Sequence, residues 1–307
     1  MSFVVIPSEA KHLHESTIND ISFLLRRDWT ALSPAKSHCK EALMPYRYET
    51  HMHTCQGSAC GVSTGAEQAR FYKEQGYTGI FITDHFTGGN TAVPRDLPWR
   101  ERIDWFCSGY EEALAEGQKI GLDVFFGWEQ NFDGDEYLIY GPDKAWLLAH
   151  PDVEHWTRRK QLEEVHRAGG AVIQAHPFRH RQYLKYILLG RKYCDGIEVA
   201  NTGNTPDCDA YARRYAEEYG FLTTAGSDNH NSPKADPAKL MGVETDVRLT
   251  GPLDYARLIR SRGAIRPVIP AGWFDVDVDA TPRLTTYWVD EDNPDMVRIP
   301  TNRDFLR

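Results

Sequence analysis

The chain is poor in cysteine, and none of it is closely spaced in pairs. Six cysteines, Cys39, Cys55, Cys60, Cys107, Cys194 and Cys208, are scattered over 307 residues without a Cys-x-x-Cys motif. At that density a disulfide framework is not expected, and the thiols are read as reduced. No apolar run reaches the roughly 18 residues of a membrane helix, so no membrane partner is expected. No basic stretch precedes the first apolar patch, Phe3-Val4-Val5-Ile6, so a secretory leader is not expected and a cytoplasmic location is the default. Basic charge is in deficit, with a formal net charge of −9. Polymeric nucleic acid needs a basic footprint and is therefore not an expected partner. A small anionic substrate stays open, because divalent cations and a few arginines can make one pocket positive. The sequence shows no internal repeat or low-complexity tract.

Regular strand–helix punctuation is present. Apolar or β-branched runs fall near Arg47–Met52, Gly79–Thr83, Val124–Gly127, Tyr137–Tyr140, Ala171–Gln174, Gly196–Ala200 and Leu222–Thr224. Amphipathic stretches separate most of them, at Gly65–Gln75, Ile103–Ile120, Thr157–Ala168, Gln182–Leu189 and Asp207–Tyr219. Gly76, Gly121, Gly169 and Gly220 each follow such a stretch, where a left-handed stop favours glycine. Alternation of this kind implies parallel strands joined by helical crossovers. A further helix near Pro252–Arg262 and a short strand at Ala264–Ile269 follow. Residues 1–45 lack the rhythm and read as an extension with one helix, Ser16–Arg27. Residues 271–307 read as a tail packed on the outside, leaving residues 46–270 as the main domain.

Five of the seven strand ends carry metal-binding residue types. His51-Met52-His53 leaves the first strand, with its imidazoles at i and i+2 on one side. Asp84-His85 leaves the second. Glu129 ends an apolar run, where a carboxylate is costly to bury unless paired or metal-bound. His176 follows Ala171–Ala175, and Asp228-Asn229-His230 repeats the i, i+2 spacing after the last strand. His12-Leu13-His14 has the same spacing, but no strand precedes it and no partner cluster follows, so it is read as no site. In parallel α/β folds chemistry gathers at the carboxyl ends of strands. Ligands from so many strands converge more easily in a closed barrel than in an open sheet. Nitrogen and oxygen donors of this kind suit zinc, manganese and iron. A metal-dependent hydrolase is expected.

The ordered set His51-x-His53, Thr83-Asp84-His85, Glu129, His176 and Ser227-Asp228-x-His230 resembles the motifs of the PHP (polymerase and histidinol phosphatase) superfamily, over roughly residues 46–268. The resemblance implies a distorted (β/α)7 barrel holding two to three divalent metals at its carboxyl-terminal face. It implies a first metal on His51, His53, Glu129 and Asp228. A second would share Glu129 and take His176. A third would use His85 and His230. The chain departs from the pattern twice. Where the family usually has an aspartate or histidine for the third metal, this sequence reads Gly57-Ser58-Ala59-Cys60. Cys60 is either a soft ligand or a non-binding thiol. Where the family usually has a histidine after the bridging glutamate, Glu136 is the first stand-in and Asp135 the next.

The expected activity is phosphoester hydrolysis of a small phosphorylated metabolite or nucleotide by a metal-activated hydroxide. Asp228 and His230 are the candidates to orient water or relay a proton, with His85 or His230 as acid for the leaving group if the third metal is missing. Arg179, in Pro177-Phe178-Arg179-His180-Arg181, is the candidate to grip phosphate in a bidentate fork. Asn201 and Asn204 are either substrate donors or turn residues. The alternatives are a metallohydrolase of an amide or lactone, and a non-catalytic metal-binding domain.

Overall fold

The computed structural model describes residues 45–278, 283–289 and 298–300. The extension at 1–45, with the helix expected at Ser16–Arg27 and with His12-Leu13-His14, lies outside the described residues except for Pro45, as does part of the tail.

Nine strands form one sheet that curls into a nearly closed barrel. β1 (Tyr46–Glu49), β2 (Gly79–Ile82) and β3 (Asp123–Asn131) run parallel, connected by α1 (Gly65–Glu74) and by the pair α2 (Trp99–Phe106) and α3 (Ser108–Ile120). β4 (Glu136–Tyr140) follows, then α4 (Lys144–Ala149), α5 (Arg158–Arg167) and β5 (Ala171–Ala175). β6 (Ile187–Leu189) leaves the barrel sheet, and β7 (Gly196–Asn201), α6 (Pro206–Tyr219) and β8 (Leu222–Gly226) complete the rhythm. β9 (Gly242–Thr245), α7 (Pro252–Arg260) and β10 (Ile265–Val268) come last before the tail. The strand order is β10-β9-β1-β2-β3-β4-β5-β7-β8, and β10 at one end packs beside β8 at the other.

Closure is completed differently at the two ends of the barrel. Towards the amino-terminal end of β1, the antiparallel strands β9 and β10 fill the gap between β1 and β8. At the carboxyl-terminal rim, the chain leaving β1 meets the chain leaving β8 directly: Asp228 N donates to His51 O (2.7 Å) and His53 N to Asn229 O (3.0 Å). Thr83, at the exit of β2, holds the other side of this segment by donating its N–H to Met52 O (3.0 Å). His51 and His53 are thus fixed by ladders on both flanks.

Local chemistry explains the elements. Thr64 caps α1 with a reciprocal box: its side chain accepts from Glu67 N, and Glu67 accepts from Thr64 N at 2.7 Å. Gly121 and Gly220 end α3 and α6 in the left-handed region, φ 70° and 64°. Along β2 the side chains alternate: Ile80 and Ile82 pack with Ala69, Tyr72 and Ala113 of the helices, and Phe81 turns to the other face. There Tyr255 of α7 meets Phe81 and Tyr140, both at 4.9 Å between ring centroids. This aromatic core underlies the rim that carries the polar residues.

Three sequence expectations need correction. β4 runs antiparallel to both β3 and β5. The four residues Phe132–Asp135 make a hairpin, too short for the crossover a parallel strand requires. Residues 103–120 form two helices broken at Cys107. The stretch 182–189 is not a helix; its last three residues are β6, which pairs in parallel with β11 (Thr286–Val289) of the tail in a separate small sheet. Among the described residues no helix is long and apolar enough to cross a membrane.

Candidate metal centre

The rim gathers the five strand exits into one buried cluster. Glu129, in β3, is its hub. Its carboxylate lies 3.5 Å from His51 Nε2, 3.5 Å from His53 Nε2, 2.8 Å from His85 Nδ1 and 2.9 Å from His176 Nε2. Asp228 Oδ1 is 3.0 Å from His53 Nε2, 3.6 Å from His51 Nε2 and 3.5 Å from His230 Nδ1. Glu136 Oε2 stands 3.6 Å from His176 Nε2. Because β4 is antiparallel, its first residue, Glu136, is what reaches the rim. Asp135 points elsewhere, into a buried fork with Arg158 (2.5 and 2.8 Å). All eight residues named as metal candidates are therefore together, and Asp135 is not among them.

The imidazole tautomers are set from behind. Ser58 Oγ donates to Asp84 Oδ1 (2.7 Å) and accepts from His85 N (2.9 Å). Its remaining lone pair can only accept, so His53 Nδ1, 3.1 Å away, carries a proton. His51 Nδ1 donates to Glu198 Oε1 (2.9 Å), and His230 Nδ1 donates to the carbonyl of Asp228 (2.8 Å). Each of these rings, when neutral, turns a bare Nε2 away from its partner. His53 Nε2 and Asp228 Oδ1 are then two acceptors 3.0 Å apart, which repel unless a cation or proton lies between them.

That deficit is general across the cluster. His51 Nε2, His53 Nε2, His85 Nδ1, Glu129 Oε2 and Asp228 Oδ1 are buried and have no hydrogen-bond partner among the described residues. Buried polar atoms are rarely left so, and here five orphans converge. Side-chain donors from this set fall into four triads whose ligating atoms lie within 4.8 Å of one another: His51-His53-Glu129, His51-His176-Asp228, His85-Glu129-Glu136 and His53-His85-His230. Mixed imidazole and carboxylate donors around orphaned atoms fit borderline divalent cations.

Electrostatics agree. Burial would raise Glu129, but His85 and His51 hold it well below the usual carboxylate range. Burial would raise Asp228 likewise, and Arg179 followed by His51 holds it well below. Burial would lower His51, yet Glu198, Asp228 and Glu129 outweigh it and keep the ring well above its ordinary value. His53 goes the other way, pushed down by burial and by His85 and His230. Burial alone would raise Cys60, yet the nearby imidazoles of His230 and His85 pull it down to about 6.

The backbone is strained where two candidate ligands sit. His176 has φ 29° and Asp228 φ 51°, at a cost of roughly 1–3 kcal/mol each for non-glycine residues.

Arg179 and Asn201 are placed differently from the sequence expectation. Arg179 Nε donates to Asn204 Oδ1 (2.8 Å), and its Nη2 donates to Asn201 Oδ1 (3.1 Å) and to Asp228 Oδ2. Asn201 has both ends of its amide engaged, since Nδ2 donates to Glu198 Oε2 (2.9 Å) and Oδ1 also accepts from Gly203 N (2.8 Å). Asn201 and Asn204 thus aim Arg179 at Asp228. A cavity of about 400 Å³ opens beside Asp228 and His230, lined also by Lys234 and Lys239.

Sequence reasoning missed Glu198. It is fully buried in β7, accepts from His51 Nδ1 through one oxygen, and through the other from Asn201 Nδ2 and from His176 N (3.2 Å). The signal was the same as for Glu129, an acid inside an apolar run. Gly226 makes room for the pair: a Cβ there would lie 2.5 Å from His51 Cβ and 2.6 Å from Glu198 Oε1.

Comparison with known proteins places the fold. No family model matches the chain. The structure superposes on a two-domain protein from Bacteroides vulgatus containing a predicted PHP-like metal-dependent phosphoesterase, with TM-score 0.53 and 14% identity, over 74% of this chain and 65% of that one. The chain has the PHP fold. A lesion-specific endonuclease from Pyrococcus furiosus matches with TM-score 0.49 and 14% identity, over 80% of this chain and 62% of that one. In sequence, 74 residues are 34% identical to a 5'-3' exoribonuclease of Haemophilus influenzae; they are 22% of this chain. The chain spans about a quarter, 27%, of that curated relative's length. Within the PHP fold the cluster described above lies at the carboxyl-terminal face of the barrel, where such folds gather their chemistry.

Proposed function

We propose that the chain is a metal-dependent phosphoesterase whose centre is the cluster around Glu129. The supporting observation is the set of five orphaned buried donors on four different strand exits. In this reading residues 46–270 are the hydrolase barrel, flanked by the segments 1–45 and 271–307. His51, His53, Glu129 and Asp228 would hold one cation. Glu129, His176 and Glu136 would hold a second, and His85 with His230 a third. Zinc, manganese and iron all suit the donors. Bound there, such ions neutralise phosphate charge and lower the pKa of water towards neutrality.

The chain's own residues then have defined tasks. Arg179 neutralises Asp228 from behind and, at the edge of the cluster, would meet a phosphate held there. His230 keeps its Nδ1 proton on the Asp228 carbonyl, so with no third cation held there its Nε2 would take a proton from water. Lys234 and Lys239 line the adjoining cavity together with Asp228 and Asp236, and Lys234 is the lysine there with no paired acid among the described residues, a cation for an anionic substrate. A small phosphorylated metabolite or nucleotide fits that cavity's size.

A second substrate reading has its own support, the stretch of sequence shared with the exoribonuclease. A polynucleotide end presents the same phosphoester to the same rim, and a net charge of −9 does not prevent local binding there. The deciding experiment is elemental analysis of purified protein paired with a hydrolysis screen. The screen would hold nucleoside monophosphates, sugar phosphates, histidinol phosphate, a nitrophenyl phosphate ester and a 5'-phosphorylated oligoribonucleotide. Bound metal with turnover of a phosphoester is expected. Stoichiometric metal without turnover of any of them would overturn the phosphoesterase reading.

A further inference from the structure

Arg179 is held by two amides, and both are turned the same way. Its Nε donates to Asn204 Oδ1 (2.8 Å), and its Nη2 to Asn201 Oδ1 (3.1 Å) and to Asp228 Oδ2. A guanidinium only donates, so both asparagines must offer oxygen. The two ends of an amide are alike in size, and what lies on the far side decides which end faces the arginine. Behind Asn201 lies Glu198, which accepts from Nδ2 (2.9 Å). Behind Asn204 lies Asp209, whose Oδ1 accepts from Nδ2 (2.8 Å). Neither acid belongs to the four ligand triads. Each instead turns an oxygen towards Arg179.

Asp209 is committed to this task by its surroundings. It is fully buried in the first turn of α6. Its Oδ2 accepts from Asn201 N (2.8 Å) and from Trp273 Nε1 (2.9 Å). Trp273 lies beyond β10 and packs on Ala200, Ala225 and Met241. Three N–H groups from distant parts of the chain thus converge on two oxygens, and none of them belongs to a cation. A buried carboxylate without a cation beside it is costly, so packing alone does not account for an acid here. With asparagine in its place, Asn204 would have to turn its oxygen inward and its NH2 towards Arg179 Nε, donor against donor.

The hold leaves part of the arginine unspent. Nε has used its proton and Nη2 both of its own, while the two Nη1 protons have no partner among the described residues. Arg179 lines one hollow with Glu136 and His176. A phosphate oxygen at that edge of the cluster can take the remaining protons.

We propose that Asp209 is a positioning residue for phosphate binding: through the amide of Asn204 it fixes Arg179 Nε and so presents the Nη1 protons to the substrate. The inference rests on the reading above in which Arg179 meets phosphate. Asp209 itself touches neither substrate nor metal, and it acts two contacts away from the phosphate.

Inorganic phosphate is the probe, titrated calorimetrically into the metal-loaded full chain. The titration is run at about pH 8.5, where a carboxyl pushed up to about 7 by burial is ionised. The variants are Asp209→Asn, Asn204→Ala and the two combined, with Asp207→Asn as control at a neighbouring acid whose partner is Arg283. Melting curves and metal content check that each is folded and loaded. Asp209→Asn and Asn204→Ala are each expected to weaken phosphate binding about ten-fold, the loss of one charge-assisted hydrogen bond. The KM for a phosphoester should rise by the same factor, with kcat changed less, and Asp207→Asn should match wild type. In the combined variant the second change should add nothing, because Asp209 acts through Asn204. Wild-type phosphate affinity in folded, loaded Asp209→Asn, or losses that add in the combined variant, overturns the proposal while leaving the phosphoesterase reading standing. If Asp209→Asn does not fold, wild-type affinity in Asn204→Ala overturns it equally. A wild-type chain that binds metal but neither phosphate nor any phosphoester overturns both.

Discussion

Replacing Glu198 with glutamine tests whether the centre is oriented from behind. The carboxylate accepts hydrogen bonds from His51 Nδ1, His176 N and Asn201 Nδ2. A glutamine has one acceptor and one donor in the same space, so one side must be wrong. If its oxygen faces His51, its NH2 meets the N–H groups of His176 and Asn201. Asn201 cannot turn its amide to help, because its Oδ1 holds Arg179 and Gly203. If the NH2 faces His51 instead, the imidazole proton moves to Nε2 and blocks the position a cation would take. The first arrangement costs about 1–3 kcal/mol for an unmet buried group. The second removes a ligand. Loss of such an orienting partner lowers metal affinity by roughly 10- to 100-fold, about 1.4–2.7 kcal/mol. Glu198 is one of the charges that raise His51, so its loss also eases displacement of a ring proton by metal. That gain is smaller than the loss, since Asp228 and Glu129 still face the same ring. The assay is competition of Glu198→Gln and wild-type protein against a chelating dye, with melting curves to show that the variant folds. A folded variant with unchanged metal affinity would refute the orientation argument.

Three further outcomes follow from the same geometry. Gly226→Ala should push His51 and Glu198 apart and cost about 1–3 kcal/mol by overpacking; a denaturant midpoint and a metal titration equal to wild type would show that the close approach is unimportant. Arg179→Ala should lower kcat/KM by about 10- to 1,000-fold, since a charged hydrogen bond contributes about 1.5–3 kcal/mol and Asp228 loses its neutralising partner as well; unchanged kcat/KM would place the arginine outside the reaction. Asp209, buried in α6 beneath Asn201, Asn204 and Trp273, is pushed up to about 7 by its burial. A raised folded-state value means its contribution to stability is full below the unfolded value and is lost as pH rises through about 7. Between about pH 5 and about pH 8 that loss is on the order of 3 kcal/mol, so urea unfolding of Asp209→Asn should fall less steeply over this window than wild type; parallel declines would contradict it.

The rim was readable because strand exits leave a local mark: an apolar run, then a histidine or acid. His51, His53, His85, Glu129, His176, Asp228 and His230 all carry it, and the fold brings them together. Glu136 carried a different mark, the short Asp-Gly loop before it, and reaches the rim only because the hairpin reverses β4. What stayed hidden depends on contacts distant in sequence. Nothing near Glu198 says that it meets His51, 147 residues away. Asn201 looks like a turn residue or a substrate donor until both ends of its amide are seen to be used. The three-residue strand β6 is too short for periodicity, and its partner β11 lies about 100 residues further along the chain.

The most direct measurement is anomalous diffraction from crystals grown with zinc or manganese, collected at the metal edge. The account predicts a strong peak bounded by His51 Nε2, His53 Nε2, Glu129 and Asp228 Oδ1, with a second beside His176 and Glu136. Ordered side chains in these positions with no peak among them, at saturating metal, would contradict it.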